Sequence, residues 1–179
     1  DLFFSADSER PHDLVISGHA SGKPFTYARG RLALWMPGGA QGMAVYPETA
    51  VAGRFALANP KLAPYGRAAR ECLQSMKLWA QARDRAVYGN NISQTYHFIA
   101  SRGVAAGFIA FSQAVAQNTP DFELWLAPSS CHLPIDQQAV GLRSTNPEAV
   151  ERFLGFIASS EAQSIIVNLG YSSPLEKQR

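Results

Sequence analysis

The sequence predicts an α/β fold, and three observations carry that prediction. Short apolar runs alternate along the chain with stretches whose apolar residues recur at helical spacing. Helix-start signatures, a Pro or an Asn just ahead of an amphipathic stretch, follow several of those runs. The composition is globular, with 46% hydrophobic and 17% charged residues, too apolar for a disordered chain. Strands alternating with helices of this length predict substantially parallel sheets flanked by helices.

Leu2–Ser5 opens the chain as a short apolar strand, and a short helix is expected over 10–17. Residues 25–36, FTYARGRLALWM, predict a strand, and 36–42, MPGGAQG, a turn-rich loop. Another short strand covers 54–58. Next, Tyr65, Ala68, Ala69, Cys72, Leu73 and Met76 fall at i, i+3, i+4, i+7, i+8 and i+11, one face of a helix. Pro64 suits its first turn, where an N–H would have no intrahelical partner. Arg67 and Glu71 stand four apart on its polar side. After a strand over 85–88, Asn91-Ile92-Ser93-Gln94 makes a capping-box pattern, with Asn91 as N-cap and Gln94 reaching back. The helix it starts should bury Ile92, Tyr96, Ile99 and Ala100. A buried strand over 107–110 is followed by a helical turn over 112–115. Strands come next at 122–127 and Ile135–Leu142. Asn146-Pro147 starts a helix with Ala149, Val150, Phe153, Leu154 and Ile157 on one face. A last helix over 161–169 ends at Gly170.

Several function classes find no support. The net charge is +2 with no Lys/Arg-rich block, which argues against nucleic-acid binding. Uncharged stretches such as 104–120 contain Gln, Asn and Gly and do not read as membrane-spanning. Cys72 and Cys131 have no CxxC or metal-ligand spacing; a bridge is open to them, but the pair reads as two free buried thiols. Cys131 and His132 are adjacent, so in an extended segment they point to opposite sides and make a poor thiolate–imidazole dyad. His12, His19 and His97 show no metal-ligand pattern. Asp7, Glu9 and Asp13 cluster near a helix start, where acids favour the helix dipole. No nucleophile is paired with a base, so the chain does not read as an enzyme.

Helix beginnings that follow strands are what the sequence offers repeatedly. Pro64-Tyr65-Gly66 and Asn91-Ile92-Ser93 stand out. Such an end carries unpaired N–H groups and about half a positive charge, and can hold an oxyanion without a cationic side chain. Open α/β sheets bind ligands at the carboxyl ends of their strands. Every α/β protein has such ends, however, and most of them bind nothing.

Four blocks in register then extend the reading: DLFFSADSERP, GRFALANPKLAPYGRAARECL, YGNNISQTYHFIASRGVAAGFIAFSQA and IDQQAVGLRSTNPEAVERFLGFIASSEAQSIIVNLGY. Together they cover nearly the whole chain, which resembles the periplasmic molybdate-binding proteins of bacterial molybdate ABC transporters. ANPKLAPYG, GFIAFSQA and EAQSIIVNLGY are the most specific parts.

The resemblance implies a type II periplasmic binding protein-like fold of two α/β lobes, with molybdate or tungstate held between them. It implies a first lobe from 1–28 plus 138–179 and a continuous second lobe from 29–137. Neutral donors, backbone amides and hydroxyls, would hold the dianion. Tyr65 falls where some members use a tyrosine and others an alanine amide; a core aromatic is its alternative role. Ile92 falls where members place an aliphatic residue whose amide binds the anion. Gly66 and Asn91 flank these donors and join the expected ligand set. The tyrosine that some members carry after the GFI strand is here Ala110, so that contact is missing, and Ser112 is expected to cap a helix instead. No cofactor is implied, only the bound oxyanion and a membrane permease as partners. The chain opens abruptly on DLFFSAD, and the family's further hydroxyl donors would precede Asp1, so the first lobe is expected to be incomplete in this sequence. The rival reading is an oxyanion- or small-molecule-sensing effector domain of a regulator with the same two lobes.

Overall fold

A computed structural model describes residues 1–39, 44–143 and 146–174, divided into two compact units, Asp1–Gly30 with Ile135–Arg179 and Arg31–Pro134. The division falls at strand ends, where β2 (Ala20–Gly30) stops and β8 (Ile135–Leu142) begins.

The first unit holds β1 (Leu2–Ser5), α1 (Glu9–Ile16), β2, β8, α7 (Pro147–Ala158) and α8 (Ser160–Asn168). Its sheet has the order β1-β8-β2, and both pairings are antiparallel. Arg29 lies opposite Asp136 in the register, and its Nε meets the carboxylate at 2.9 Å. Asp7 is buried at the start of α1, where it accepts from the Arg10 amide at 3.0 Å and pairs with the Arg10 side chain. That is the helix-dipole role its position suggested. Asn146 caps α7 through the Ala149 amide, yet no residue of α7 is buried, and Phe153 and Phe156 are exposed. Of the expected apolar face of α7, Ala149, Val150, Leu154 and Ile157 are half-buried and Phe153 is exposed, so the face is only partly packed. Gly170 follows α8 at φ +91°, the left-handed conformation glycine adopts without strain.

In the second unit, β3 (Leu32–Trp35), β4 (Phe55–Ala58), β5 (Ala86–Gly89), β6 (Ala106–Ala110) and β7 (Leu124–Leu126) form a sheet ordered β5-β4-β6-β3-β7. Every residue of β3, β4 and β6 is buried, as their unbroken apolar runs require. Ala33, Trp35, Ala56, Ile99, Val104, Ile109 and Ala114 make up a core cluster, and Tyr96 stacks on Trp35 with ring centroids 5.2 Å apart. Helices α3 (Pro64–Ser75), α4 (Trp79–Ala82) and α5 (Ile92–Ala100) carry the crossovers, with α2 (Pro47–Ala52) and α6 (Phe111–Ala116) completing the unit.

Several sequence expectations need correction. Among the described residues, parallel pairing is confined to β4–β5 and β4–β6, so the α/β class holds, but the first unit's sheet is antiparallel and only the second unit's sheet is mixed. The strand expected over 25–36 is two strands, broken at Arg31 where the chain passes from one unit to the other. Helices α2 and α4 are too short to show a helical period and were not expected. Residues 122–127 contain a 3-10 turn, Asp121–Glu123, before β7. Ala100 is exposed, and α5 buries Thr95 instead, whose hydroxyl is satisfied by the Asn91 carbonyl at 2.9 Å. Of the loop expected at 36–42, residues 40–42 lie outside the described residues; Gly38 turns at φ +83° and its amide donates to Glu123 at 2.8 Å.

The cysteines are not free. Cys72, fully buried on α3, is bonded to Cys131 in the 3-10 turn Ser129–Cys131, across 59 residues of sequence. The helical face that buries Cys72 also presents it to that turn, a juxtaposition that linear spacing cannot show. Next to it, a Glu71 carboxylate oxygen accepts from the Leu133 amide at 2.9 Å. Closing a loop of this length restricts the unfolded chain by about 4 kcal/mol in the chain-entropy model. A Cys72→Ser/Cys131→Ser variant should therefore lose about 2–4 kcal/mol of unfolding free energy in a urea titration. An unchanged midpoint would mean that the bridge does not form.

Candidate functional site

The two helix beginnings singled out in the sequence lie side by side. β4 and β5 are parallel neighbours whose last residues, Ala58 and Gly89, are register partners. Both strands therefore deliver their helices, α3 and α5, from the same carboxyl edge of the sheet. The Asn59 amide donates to the Gly89 carbonyl at 2.7 Å and ties the two junctions together. Asn59 also shapes the turn ahead of α3, since its side chain accepts from the Lys61 amide at 3.0 Å and its carbonyl from the Ala63 amide at 2.9 Å.

Two glycines bring the helices onto the strands. A Cβ on Gly66 would lie 2.1 Å from the Ala58 carbonyl oxygen. At Gly89 a Cβ would lie 2.5 Å from Thr95 Oγ1 and 2.9 Å from the Thr95 amide nitrogen. Neither contact has room for a side chain. Gly66, expected as an amide donor, thus has a packing role that its neighbours in sequence do not reveal.

The first turns leave amides ahead of the helical ladder. In α3, Pro64 has no N–H and no side chain caps the helix, whose first internal bond runs from Arg67 to Ala63 at 3.1 Å. The Tyr65 and Gly66 amides precede it. In α5, the Asn91 side chain takes the Gln94 amide at 2.8 Å and its carbonyl the Thr95 amide at 3.1 Å, so the Ile92 and Ser93 amides come before both. Gln94 does reach back, but to the Asn90 amide at 2.7 Å, one residue earlier than a capping box requires. Asn91 is thus committed to capping. The Tyr65 side chain is buried, and that of Ile92 is half-buried.

Electrostatics favour a negative charge here. Helices α1, α2, α7 and α8 carry Glu9, Glu48, Glu148 and Glu161 in their first turns, whereas α3 and α5, like the short α4 and α6, carry no acid there. The positive ends of these two helices are left uncompensated by their own sequence. On β5, the Tyr88 hydroxyl donates to the Arg83 carbonyl at 3.1 Å; burial, then nearby Asp84, raises its pKa against an opposing pull from Arg83. α6 starts at the same edge, after β6. Its N-cap is Ala110, whose amide donates to Gln113 Oε1 at 3.1 Å, so Ser112 lies inside the helix and does not cap it.

Other chemistry has little to build on. Among the described residues, no three His, Cys, Asp or Glu side chains gather as a metal site. Cys131 is locked in the disulfide, and the neighbouring His132 ring contacts the Leu133 carbonyl at 2.7 Å. Among the described residues, no helix is long and apolar enough to cross a membrane.

A family model for bacterial extracellular solute-binding proteins matches residues 1–172. The chain belongs to that family. It is 35% identical over 175 residues to the molybdate-binding protein ModA of Rhodobacter capsulatus, covering 96% of this chain and 68% of that protein. Against the molybdate-binding protein ModA of Azotobacter vinelandii the identity is 30%, covering 96% of this chain and 70% of the relative. A solved structure of the Azotobacter vinelandii periplasmic molybdate-binding protein superposes with a TM-score of 0.83 at 34% identity, covering 97% of this chain and 78% of that one. This solute-binding protein thus has the mixed α/β, two-unit fold of periplasmic binding proteins.

The close approach at Gly66 makes a direct prediction. Gly66→Ala should lower the unfolding free energy by about 1–3 kcal/mol through overpacking against a backbone carbonyl. Urea denaturation compared with Ala68→Gly, which opens space in the same helix, separates that clash from a change in helix propensity. A Gly66→Ala variant as stable as the parent would contradict the packing described.

Proposed function

We propose that this solute-binding protein captures a tetrahedral oxyanion, molybdate or tungstate, in the periplasm for an ABC permease, with the amides of Tyr65 and Ile92 among its donors. The observation that carries this reading is the pair of adjacent helix beginnings, free of first-turn acids, in a chain whose relatives are named molybdate-binding proteins. Gly66 and Asn91 act by placing the two amides, the first by close packing and the second by capping. The disulfide supports an oxidising compartment outside the cytoplasm.

Neutral donors suit a dianion that must also be released. Preorganised dipoles act strongly where water is excluded, so no lysine of the phosphate-loop kind is required. Selection against sulfate then rests on size, because donors fixed for the longer bonds of molybdate stand too far from sulfate. A thermal-shift panel of molybdate, tungstate, sulfate and phosphate tests the ligand class. Stabilisation by the first two alone is expected; equal shifts with sulfate, or none with molybdate, would overturn the proposal.

Position N1 of α5 gives a cleaner test of the backbone role. Ile92 is the first helical residue, and Asn91 before it is extended at φ −149°, ψ 173°. Proline is accepted at N1, and an extended residue before it is what proline demands. Ile92→Pro should therefore delete one amide with little loss of stability, and weaken molybdate binding by about 1.5–3 kcal/mol, the range for a hydrogen bond to a charged group. Ile92→Val should leave binding unchanged by calorimetry. Equal affinities for the Pro and Val variants would remove Ile92 from the site. Tyr65→Phe should cost about 1 kcal/mol if the hydroxyl also reaches the anion, and no loss would leave Tyr65 with a backbone role alone.

A further inference from the structure

Gln113 joins two strand-to-helix junctions at the carboxyl edge of the second unit's sheet. β6 runs parallel to β4 and delivers α6 at the edge where β4 and β5 deliver α3 and α5. Gln113 is half-buried in the first turn of α6, and both ends of its side-chain amide are engaged. Its Oε1 accepts the amide of Ala110, a buried residue at the end of β6, at 3.1 Å. Its Nε2 donates to the carbonyl of Ile92, the first residue of α5, at 3.5 Å. A backbone N–H only donates and a carbonyl only accepts, so a single orientation of the amide serves both. Methionine offers no donor, and an ionised glutamate offers only acceptors.

The contact falls on the first peptide group of α5. A peptide is planar, so the Ile92 carbonyl and the Ser93 N–H keep fixed, opposed directions. Gln113 therefore holds the plane whose N–H emerges at the helix beginning, next to the Ile92 amide. The close approach at Gly89 sets α5 against β5, and Gln113 holds its first turn from the β6 side. We propose that Gln113 is a positioning residue that sets the spacing of the α5 amides, and with it the size of anion they select. This rests on the oxyanion reading above and keeps its donor set neutral. Gln113 acts through α5, with no contact of its own to the anion.

Calorimetry with molybdate, and with sulfate as competitor, on wild type, Q113M, Q113E and A114G tests the assignment. Q113M keeps the length of the side chain and removes both hydrogen bonds. Q113E keeps the acceptor for Ala110 and loses only the donor, so a Q113M chain that fails to fold leaves the test intact. Its added charge acts alike on two dianions of the same shape and cancels in their affinity ratio. Both variants should lower the molybdate-to-sulfate ratio about tenfold. A114G loosens the same helix away from Ile92. It should lower the melting temperature and leave the ratio within about twofold of wild type. A wild-type ratio in Q113E would overturn the proposal, as would A114G losing as much of the ratio as Q113E. Wild type binding no molybdate would overturn the functional reading and this proposal together; wild-type binding with an unaltered ratio in Q113E overturns this one alone.

Discussion

The close packing of α3 onto the end of β4 is the contact on which the second unit's candidate site depends. Gly66 meets the Ala58 carbonyl where no Cβ fits, and Gly89 does the same for α5. The same contacts fix where the helix amides begin. A helix end carries about half a positive charge that fades within one turn, so its usefulness depends on placement. Two such ends on neighbouring parallel strands, tied by the Asn59–Gly89 hydrogen bond, place their fields on the same edge. The absence of first-turn acids in these two helices leaves that field unspent.

The far end of α3 is held as firmly as its beginning. Cys72 is bonded to Cys131, and Glu71 accepts the Leu133 amide, so the segment leading to Pro134 is clamped to the helix. Five residues of α3 besides Gly66 are buried, which leaves the helix little freedom to slide along the sheet. Under the proposed function, a donor set that distinguished anions by bond length would need that rigidity, since a shift of a few tenths of an ångström would erase the distinction.

Much of this was legible in the sequence, and the losses have physical causes. The helix from Pro64 to Ser75 follows from its apolar spacing and N1 proline, and Leu2–Ser5 from its apolar run. Asn91 as the cap of α5 was readable because capping is local. What failed depended on neighbours distant in sequence. Strand direction turned on which strands the crossover helices connect, so parallel pairing was overestimated. The disulfide joins residues 59 apart, and its partners carry no motif. The packing role of Gly66 was hidden because its contact, the Ala58 carbonyl, lies across a turn.

The central claim is that backbone amides at two helix beginnings meet the anion. Amide-resolved nuclear magnetic resonance during a molybdate titration tests it most directly. The account predicts that the amide signals of Tyr65 and Ile92 move furthest in the second unit and saturate together, at the concentration where binding saturates. Saturable molybdate binding that leaves both signals in place would contradict it.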